Sequence, residues 1–154
     1  MEQIFIQNSE FFIKLSIAMI LGIAIGTERY IHHKTAGMRT YALVSMGSAL
    51  FVVISELVAM NSSVEFDPTR MASQIITGIG FLGAGLIIMQ DSKLSGLTTA
   101  SGLWVAAGIG TAVGFGFYSI AIMTTILTMF VFMVLYVIEE RIKRSEEKNE
   151  IGRN

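Results

Sequence analysis

Residues Asp67–Met89 read DPTRMASQIITGIGFLGAGLIIM, and this stretch decides the kind of fold that the chain can adopt. From Met71 onward it is largely apolar, and it approaches the roughly 20 residues that a helix needs to cross a bilayer. Asp67 is a favoured N-cap residue, and Pro68 suits the first position of a helix, so the helix should begin there. The stretch therefore predicts a membrane-spanning helix over 71–89.

The glycines in this stretch also match part of a nucleotide-binding pattern. The first six letters of GIGFLGAG, at residues 78–85, fit G-x-G-x-x-G. That pattern indicates a dinucleotide site only after a strand, and with an acidic residue about 20 positions beyond the glycines. Counting from Gly83 leads to Leu103 and Trp104, which lie inside another apolar run. We therefore do not expect a nucleotide to bind here.

The same glycines fall on two faces of a helix. At about 100° per residue, Gly78 and Gly85 share one face. Gly80, Gly83 and Ala84 lie on the opposite face. Two faces of small residues fit a helix against which other helices pack on both sides. They also fit a helix that breaks here and exposes backbone groups to an ion or a substrate.

The composition of the whole chain agrees with a membrane protein. Of its 154 residues, 53% are hydrophobic and only 15% are charged, whereas a soluble domain has about 25% charged residues. The chain has no cysteine, so it has no disulfide framework and no thiolate metal site. Glu2 and Glu10 stand where a cleavable signal peptide would be basic. The sequence has no basic stripe of the kind that binds nucleic acid, so we do not expect a nucleic acid partner.

We therefore expect an all-α integral membrane bundle in which 1–138 form five transmembrane helices. The charged segment 139–154 should be a cytoplasmic tail. The connection between the fourth and fifth helices is very short, so these two should be antiparallel neighbours. The predicted spans are about 11–27, 41–60, 71–89, 97–115 and 118–138.

Basic residues set the orientation of this bundle. The first loop contains Arg29, Lys34 and Arg39, and the tail contains a second basic group. An odd number of spans places both groups on one side of the membrane. Because basic loops stay in the cytoplasm, the N-terminus should lie outside and the C-terminus inside.

Two further spans have small residues at four-residue steps, which return to nearly the same helix face. In a membrane such faces let helix backbones approach closely. We interpret the stripes as packing surfaces, with a glycine-lined path or hinge as the alternative. They are Ala18, Gly22 and Gly26 on span one, and Gly102, Ala106, Gly110 and Gly114 on span four.

Ionisable residues near the cytoplasmic ends of the spans are candidate functional groups. Glu28 and Arg29 end span one, and Arg39 and Thr40 begin span two. One interpretation is an interfacial ion pair between Glu28 and Arg39. The other is a polar site on the cytoplasmic face, where Glu28 and Arg39 join three hydroxyl residues: Thr98, Thr99 and Ser101.

The outer side has a second set of polar residues. Arg70 and Gln74 lie one turn apart and could line a vestibule, while Glu56 could either extend to the membrane surface or pair with Arg70. Trp104 on span four is typical of a packing or interface residue.

No set of residues in the sequence suggests catalysis or a bound metal. His32 and His33 are adjacent rather than one turn apart, and no carboxylates cluster as Mg²⁺ ligands would. We expect no enzyme activity and no cofactor, with Mg²⁺ considered only as a ligand or substrate.

Four segments in this order resemble the MgtC/SapB family of bacterial inner-membrane proteins. The resemblance covers most of residues 20–117, and together the four segments are highly specific. They are GIAIGTER at 22–29, AGMRTYALVSMGSALF at 36–51, DPTRMASQIITGIGFLGAG at 67–85 and GLTTASGLWVAAGIGTAVGFG at 96–116.

The resemblance implies a multi-pass protein of the bacterial inner membrane, linked to magnesium homeostasis and growth in low magnesium and, in some members, to acid tolerance or survival inside host cells. It also implies action on other membrane proteins, because one member of the family acts on such proteins, including the proton-translocating ATP synthase. Longer members carry an ACT-like domain after the fifth span, whereas this chain has only a short tail, as SapB-type members do. The motif residues carried over are Glu28, Arg29, Arg39, Thr40, Arg70, Gln74, Gly78, Gly80, Gly83, Gly85, Thr98, Thr99 and Trp104.

Two functions follow from these observations. The first is a non-enzymatic regulator that binds membrane partners through glycine-rich helix faces. The second is a transporter or channel for Mg²⁺ or another small solute. Five spans are few for a monomeric carrier, so we expect a homo-oligomer, with a dimer as the first expectation.

Overall fold

The computed structural model describes residues 2–61, 67, 69–90 and 93–151, and it is an all-α bundle with one small hairpin. The last helical run, from Tyr118 to Ile151, contains a π-helical turn at Val131–Leu135. The elements are α1 Glu2–Ile31, α2 Met38–Asn61, α3 Thr69–Leu86, β1 Ile88–Gln90, β2 Lys93–Ser95, α4 Leu97–Gly114, α5 Tyr118–Phe130 and α6 Tyr136–Ile151.

Among the residues that the structure describes, four helical segments are long and apolar enough to cross a membrane. They are Ser9–Ile31, Met38–Met60, Leu97–Gly114 and Tyr118–Ser145. They correspond to four of the five predicted spans. The helix α3 is not among them: its 18 residues equal the α4 span in length, but Arg70 and Gln74 near its start lower its mean hydropathy.

The predicted end of the third span was wrong. The helix α3 ends at Leu86, and the apolar residues that follow form the strand β1, which pairs antiparallel with β2. Gly96 directly follows β2 and has a φ of 87°, a left-handed conformation that favours glycine. A short apolar run cannot be assigned to helix or strand from periodicity alone, which explains the error.

The start of α3 agrees with the sequence. The carboxylate of Asp67 accepts a hydrogen bond from the Thr69 backbone N–H at 2.9 Å and another from the Thr69 hydroxyl at 2.6 Å. These bonds satisfy a helix donor that would otherwise lack a partner. They also hold the pKa of Asp67 below its ordinary value. The predicted N-cap at Asp67 is confirmed, while Pro68 lies outside the described residues.

Close backbone contacts fix the directions of the helices. A Cβ at Gly26 would lie 2.6 Å from Met38 Cα, whereas one at Gly22 would meet Tyr41, so α1 and α2 run antiparallel. On α4, Gly102 faces the Tyr41 hydroxyl and Gly114 faces Val52. The residue numbers on α2 and α4 rise together, so these two helices run parallel.

The helix α4 lies at the centre of the bundle and contacts four other helices: α1, α2, α3 and α5. A short loop around Gly116, whose φ is 80°, joins it to α5. The predicted close neighbourhood of these two helices is confirmed. The core consists mainly of small and branched apolar residues: Ala18, Ile25, Ala49, Leu103, Ala106, Ile109 and Val113.

The helix α3 is continuous through its glycines, so it does not break between Gly78 and Gly85. Only one of the four has a neighbour, since a Cβ at Gly83 would lie 3.6 Å from the Ala100 Cβ. Around Gly78, Gly80 and Gly85 the described residues leave open space within 4 Å. Within a single chain, neighbouring helices therefore pack against only one side of the glycine segment of α3.

Candidate functional site

A buried ion pair lies at the end of α1. The side chains of Glu28 and Arg29 are 1% and 3% exposed. Arg29 Nη2 donates to Glu28 Oε1 at 2.6 Å, and Arg29 Nε donates to Glu28 Oε2. The guanidinium also lies 3.6 Å from the centre of the Phe132 ring. Because an isolated buried charge is very costly, the two-point contact offsets much of the cost of burying these two side chains.

Pairing between sequence neighbours is unusual on a helix, where adjacent side chains point in different directions. The predicted partner was Arg39, and that prediction was wrong. Arg39 and Thr40 are exposed on the first turn of α2. The close approach of α1 and α2 at Gly26 and the position of Phe132 leave Arg29 next to Glu28 rather than in solvent.

Tyr41 connects the ion pair region to α4. It is fully buried, and its hydroxyl donates to the Thr99 backbone carbonyl at 3.2 Å. Gly102 faces both the Tyr41 hydroxyl and the Phe132 ring, so a side chain at this position would collide with both. The glycine of span four therefore makes room for the residues that surround Arg29.

His32 forms the exposed rim of the site. Its Nδ1 lies 3.1 Å from Glu28 Oε1 and 3.0 Å from the Glu28 carbonyl oxygen. A proton on Nδ1 can be donated to either oxygen. The edge of the ring faces Tyr136, with 4.9 Å between ring centres. Glu28 is thus linked to solvent through a histidine.

A cavity of about 400 Å³ opens beside the ion pair. Three predicted site residues line it, namely Arg29, Thr98 and Thr99. Lys34 and Lys143 line its mouth together with Glu139. The structure thus brings Arg29 and two of the three predicted hydroxyl residues together, while Arg39 stays outside.

A second cavity of about 460 Å³ lies between α4 and α5. Thr98 and Phe132 line both cavities, whereas Ser101 lines only this one and bonds to the Leu97 carbonyl of its own helix. Apart from these hydroxyls its walls are mostly apolar. The polar character of the site is therefore confined to the region near Arg29.

The opposite end of the bundle has a separate ion pair. Glu56 pairs with Lys14 at 3.1 Å, not with Arg70 as predicted. The Lys14 side chain is only 8% exposed. Arg70 and Gln74 are exposed on α3, and Gln74 lines a groove between α2 and α3. The predicted outer polar residues therefore do not form one cluster.

The sequence interpretation missed three residues of these sites. Lys14 could have been found, because an ionisable residue inside an apolar span is a functional candidate. Tyr41 lies within a motif segment but was not singled out, and Phe132 gives no signal in the last apolar run. Trp104 is more than half exposed on α4, which fits an interface position. Among the described residues, no three histidine or carboxylate side chains converge as a metal site.

Comparison with known proteins identifies a family and several relatives with similar sequences. The MgtC family model matches residues 15–141. A protein of Escherichia coli (strain K12) named "Putative magnesium transporter YhiD" is 41% identical over 139 residues, which cover 88% of this chain and 65% of that protein. Protein MgtC of Brucella abortus (strain 2308) is 51% identical over 87 residues, covering 56% and 35%.

An uncharacterized protein of Haemophilus influenzae is 34% identical over 143 residues, covering 89% of this chain and 60% of that protein. The chain thus spans less than two thirds of the length of each of these relatives. No solved structure matches the chain.

Proposed function

Because the chain belongs to the MgtC family, as the match over residues 15–141 shows, we propose that it is a membrane regulator of magnesium homeostasis and of adaptation to stress or acid. It is a multi-pass protein of the bacterial inner membrane and has no enzyme activity. It acts by binding other membrane proteins, or further copies of itself, through an exposed helix face. The ATP synthase is one candidate partner, by analogy with the family.

The proposed topology has five spans, with the N-terminus outside and the C-terminus in the cytoplasm. The parallel directions of α2 and α4 support it, because the chain between them must then return across the membrane. Only α3 is long enough among the described residues to make that crossing. The basic residues Arg29, Lys34 and Arg39 then share the cytoplasmic side with the tail.

One observation carries the regulatory function: α3 has an uncovered face of mostly small residues. We call this the outer face of α3, defined by Thr77, Gly80, Phe81 and Ala84, which are all exposed. Nothing lies within 4 Å of a Cβ built at Gly80, and Phe81 is 81% exposed. In lipid, helices associate through small residues that permit close approach. A partner helix could therefore pack here around the Phe81 ring.

The arrangement of polar groups also favours regulation over transport. The two ion pairs, Glu28–Arg29 buried and Lys14–Glu56 partly buried, lie at opposite ends of the bundle and are internally neutralised. The groove beside α3 shares no lining residue with the two cavities near Arg29. Within the part of the chain that the structure describes, no polar route joins the two ends.

Magnesium transport is the second candidate function. The printed name of the Escherichia coli relative favours it, as does the cavity lined by Arg29, Thr98 and Thr99. In this case further copies would have to complete the path.

Photo-cross-linking in living cells tests the regulatory proposal. A photoreactive phenylalanine analogue replaces Phe81 on the outer face of α3, and in a control it replaces Phe130, which is also exposed but lies on α5. We expect a discrete membrane-protein adduct from position 81 and none of the same size from position 130. Gly80→Leu should abolish the adduct and impair growth in low magnesium while the protein remains in the membrane. Equal adducts from both positions would contradict the proposal.

A further inference from the structure

A groove of about 500 Å³ runs between α2 and α3, next to but distinct from the outer face of α3. Its walls are almost entirely apolar, and its floor contains a glycine from each helix, with nothing within 4 Å of either. The residues that define it are Leu43, Gly47, Phe51, Gln74, Gly78 and Leu82.

The length of the groove fits one leaflet of a bilayer. On α3 it extends from Met71 to Leu82, and at about 1.5 Å per residue this is roughly 16 Å. The hydrocarbon core of a bilayer is about 30 Å thick, so each leaflet contributes about half of it. A transmembrane helix of a partner would need the full thickness, whereas an acyl chain needs only one leaflet.

The volume fits the same occupant. The groove has a volume of about 500 Å³ and is open along one side, so it has room for a single slender chain. Filling the groove with a single flexible chain would also remove the open space around Gly47 and Gly78.

A cationic residue lies at the interfacial end of the groove. Arg70 is exposed, immediately precedes Met71, and lies one turn before Gln74 on the same stripe of α3. It forms no ion pair with any residue that the structure describes. The nearby carboxylate of Asp67 accepts hydrogen bonds from Thr69 instead. Arg70 is close enough to help lower the pKa of Asp67, but the exposed guanidinium keeps donors free for an anionic head group at the membrane surface.

We propose that this groove binds one acyl chain of an anionic phospholipid, with the head-group phosphate on Arg70. The apolar walls select a lipid chain and Arg70 selects the negative head group. The site is independent of the proposed regulatory contact, because the groove and the outer face of α3 occupy different sides of the helix.

Native mass spectrometry of the purified full chain tests the proposal, with phosphatidylglycerol and phosphatidylcholine as probes. We expect the parent chain to retain phosphatidylglycerol in preference to phosphatidylcholine. Gly78→Leu fills the groove and should remove most of the bound lipid. Gly80→Leu is the matched control, because it adds the same side chain two residues away, also into open space but on the outer face of α3. It should leave lipid binding unchanged.

Arg70→Gln separates the head-group contact from the groove. It should lower the preference for phosphatidylglycerol by up to about fivefold, the upper limit for one exposed charge pair, while binding of the acyl chain persists. Equal lipid retention by Gly78→Leu and the parent would overturn the proposal. So would equal losses in Gly78→Leu and Gly80→Leu, or a change of oligomeric state caused by Gly78→Leu without loss of lipid.

A fluorescence measurement gives a second, independent test. The chain has a single tryptophan, so Trp104→Phe combined with Phe51→Trp places the only indole in the groove. Brominated phosphatidylglycerol should quench this indole more strongly than brominated phosphatidylcholine. Adding Arg70→Gln should remove the difference. Equal quenching by both lipids in the presence of Arg70 would contradict the proposed head-group contact.

Discussion

The buried ion pair of α1 allows the sharpest test of the structure. Glu28→Gln keeps the shape of the side chain but removes its charge, which leaves the Arg29 guanidinium buried without a counter-ion. Breaking a buried pair in this way typically costs about 3–5 kcal/mol. The ring contact with Phe132 remains and is worth about 0.5–2 kcal/mol, so we expect a loss near the lower limit, ~3 kcal/mol.

Thermal or denaturant unfolding of the purified chain in a mild detergent measures this loss. Glu140→Gln is the control, because Glu140 also pairs with an arginine, Arg144 at 3.1 Å, but in the exposed part of α6. An exposed pair contributes only about 0–1 kcal/mol. The double variant Glu28→Gln/Arg29→Met removes both buried charges and should recover most of the stability. If Glu28→Gln costs no more than Glu140→Gln, the ion pair is not buried as described.

Three further predictions concern packing and capping. Gly110→Ala should strongly destabilise the chain, because its methyl group would collide with the α2 backbone. Gly108→Ala is the control and should be tolerated, because its methyl group meets only open space. Thermal or denaturant unfolding of both variants measures the difference. Tyr41→Phe should cost about 0.5–1.5 kcal/mol in the same assay through the lost hydrogen bond to α4. The cap of α3 depends on the ionised carboxylate of Asp67, whose pKa is lower in the folded chain than its ordinary value. The stability that the cap contributes is therefore complete above the ordinary pKa and is lost as the pH falls through the folded pKa. The protection of the Thr69 amide, measured as its exchange rate relative to that of an unprotected amide at the same pH, should therefore decrease at low pH, and Asp67→Ala should remove this pH dependence.

Much of the architecture could be predicted from the sequence because lipid imposes simple constraints. Apolar runs of the required length identify four of the helices, and Asp67 marks the start of α3. The end of α3 could not be predicted, since Ile87 and Ile88 fit a strand as well as a helix. Only the pairing of Ile88 with Ser95 decides between them.

The ion pairs were harder to predict because they depend on tertiary contacts. Charge and topology placed Glu28, Arg29 and Arg39 on the same side of the membrane. They did not reveal which arginine would pair with Glu28. That choice depends on Phe132, which is distant in sequence and covers Arg29. Likewise Lys14 neutralises Glu56 across the α1–α2 contact, an interaction that spacing along one helix cannot reveal.

Magnesium flux in proteoliposomes that contain only this chain tests the central claim, regulation rather than transport, most directly. The chain is reconstituted in both orientations with a magnesium-sensitive dye inside the vesicles, and ion entry is compared with that into protein-free vesicles. We predict equal rates with and without the protein, over a range of magnesium gradients and membrane potentials. Saturable magnesium entry that Thr98→Ala or Arg29→Ala lowers, in protein shown to be folded, would contradict the regulatory proposal and establish transport.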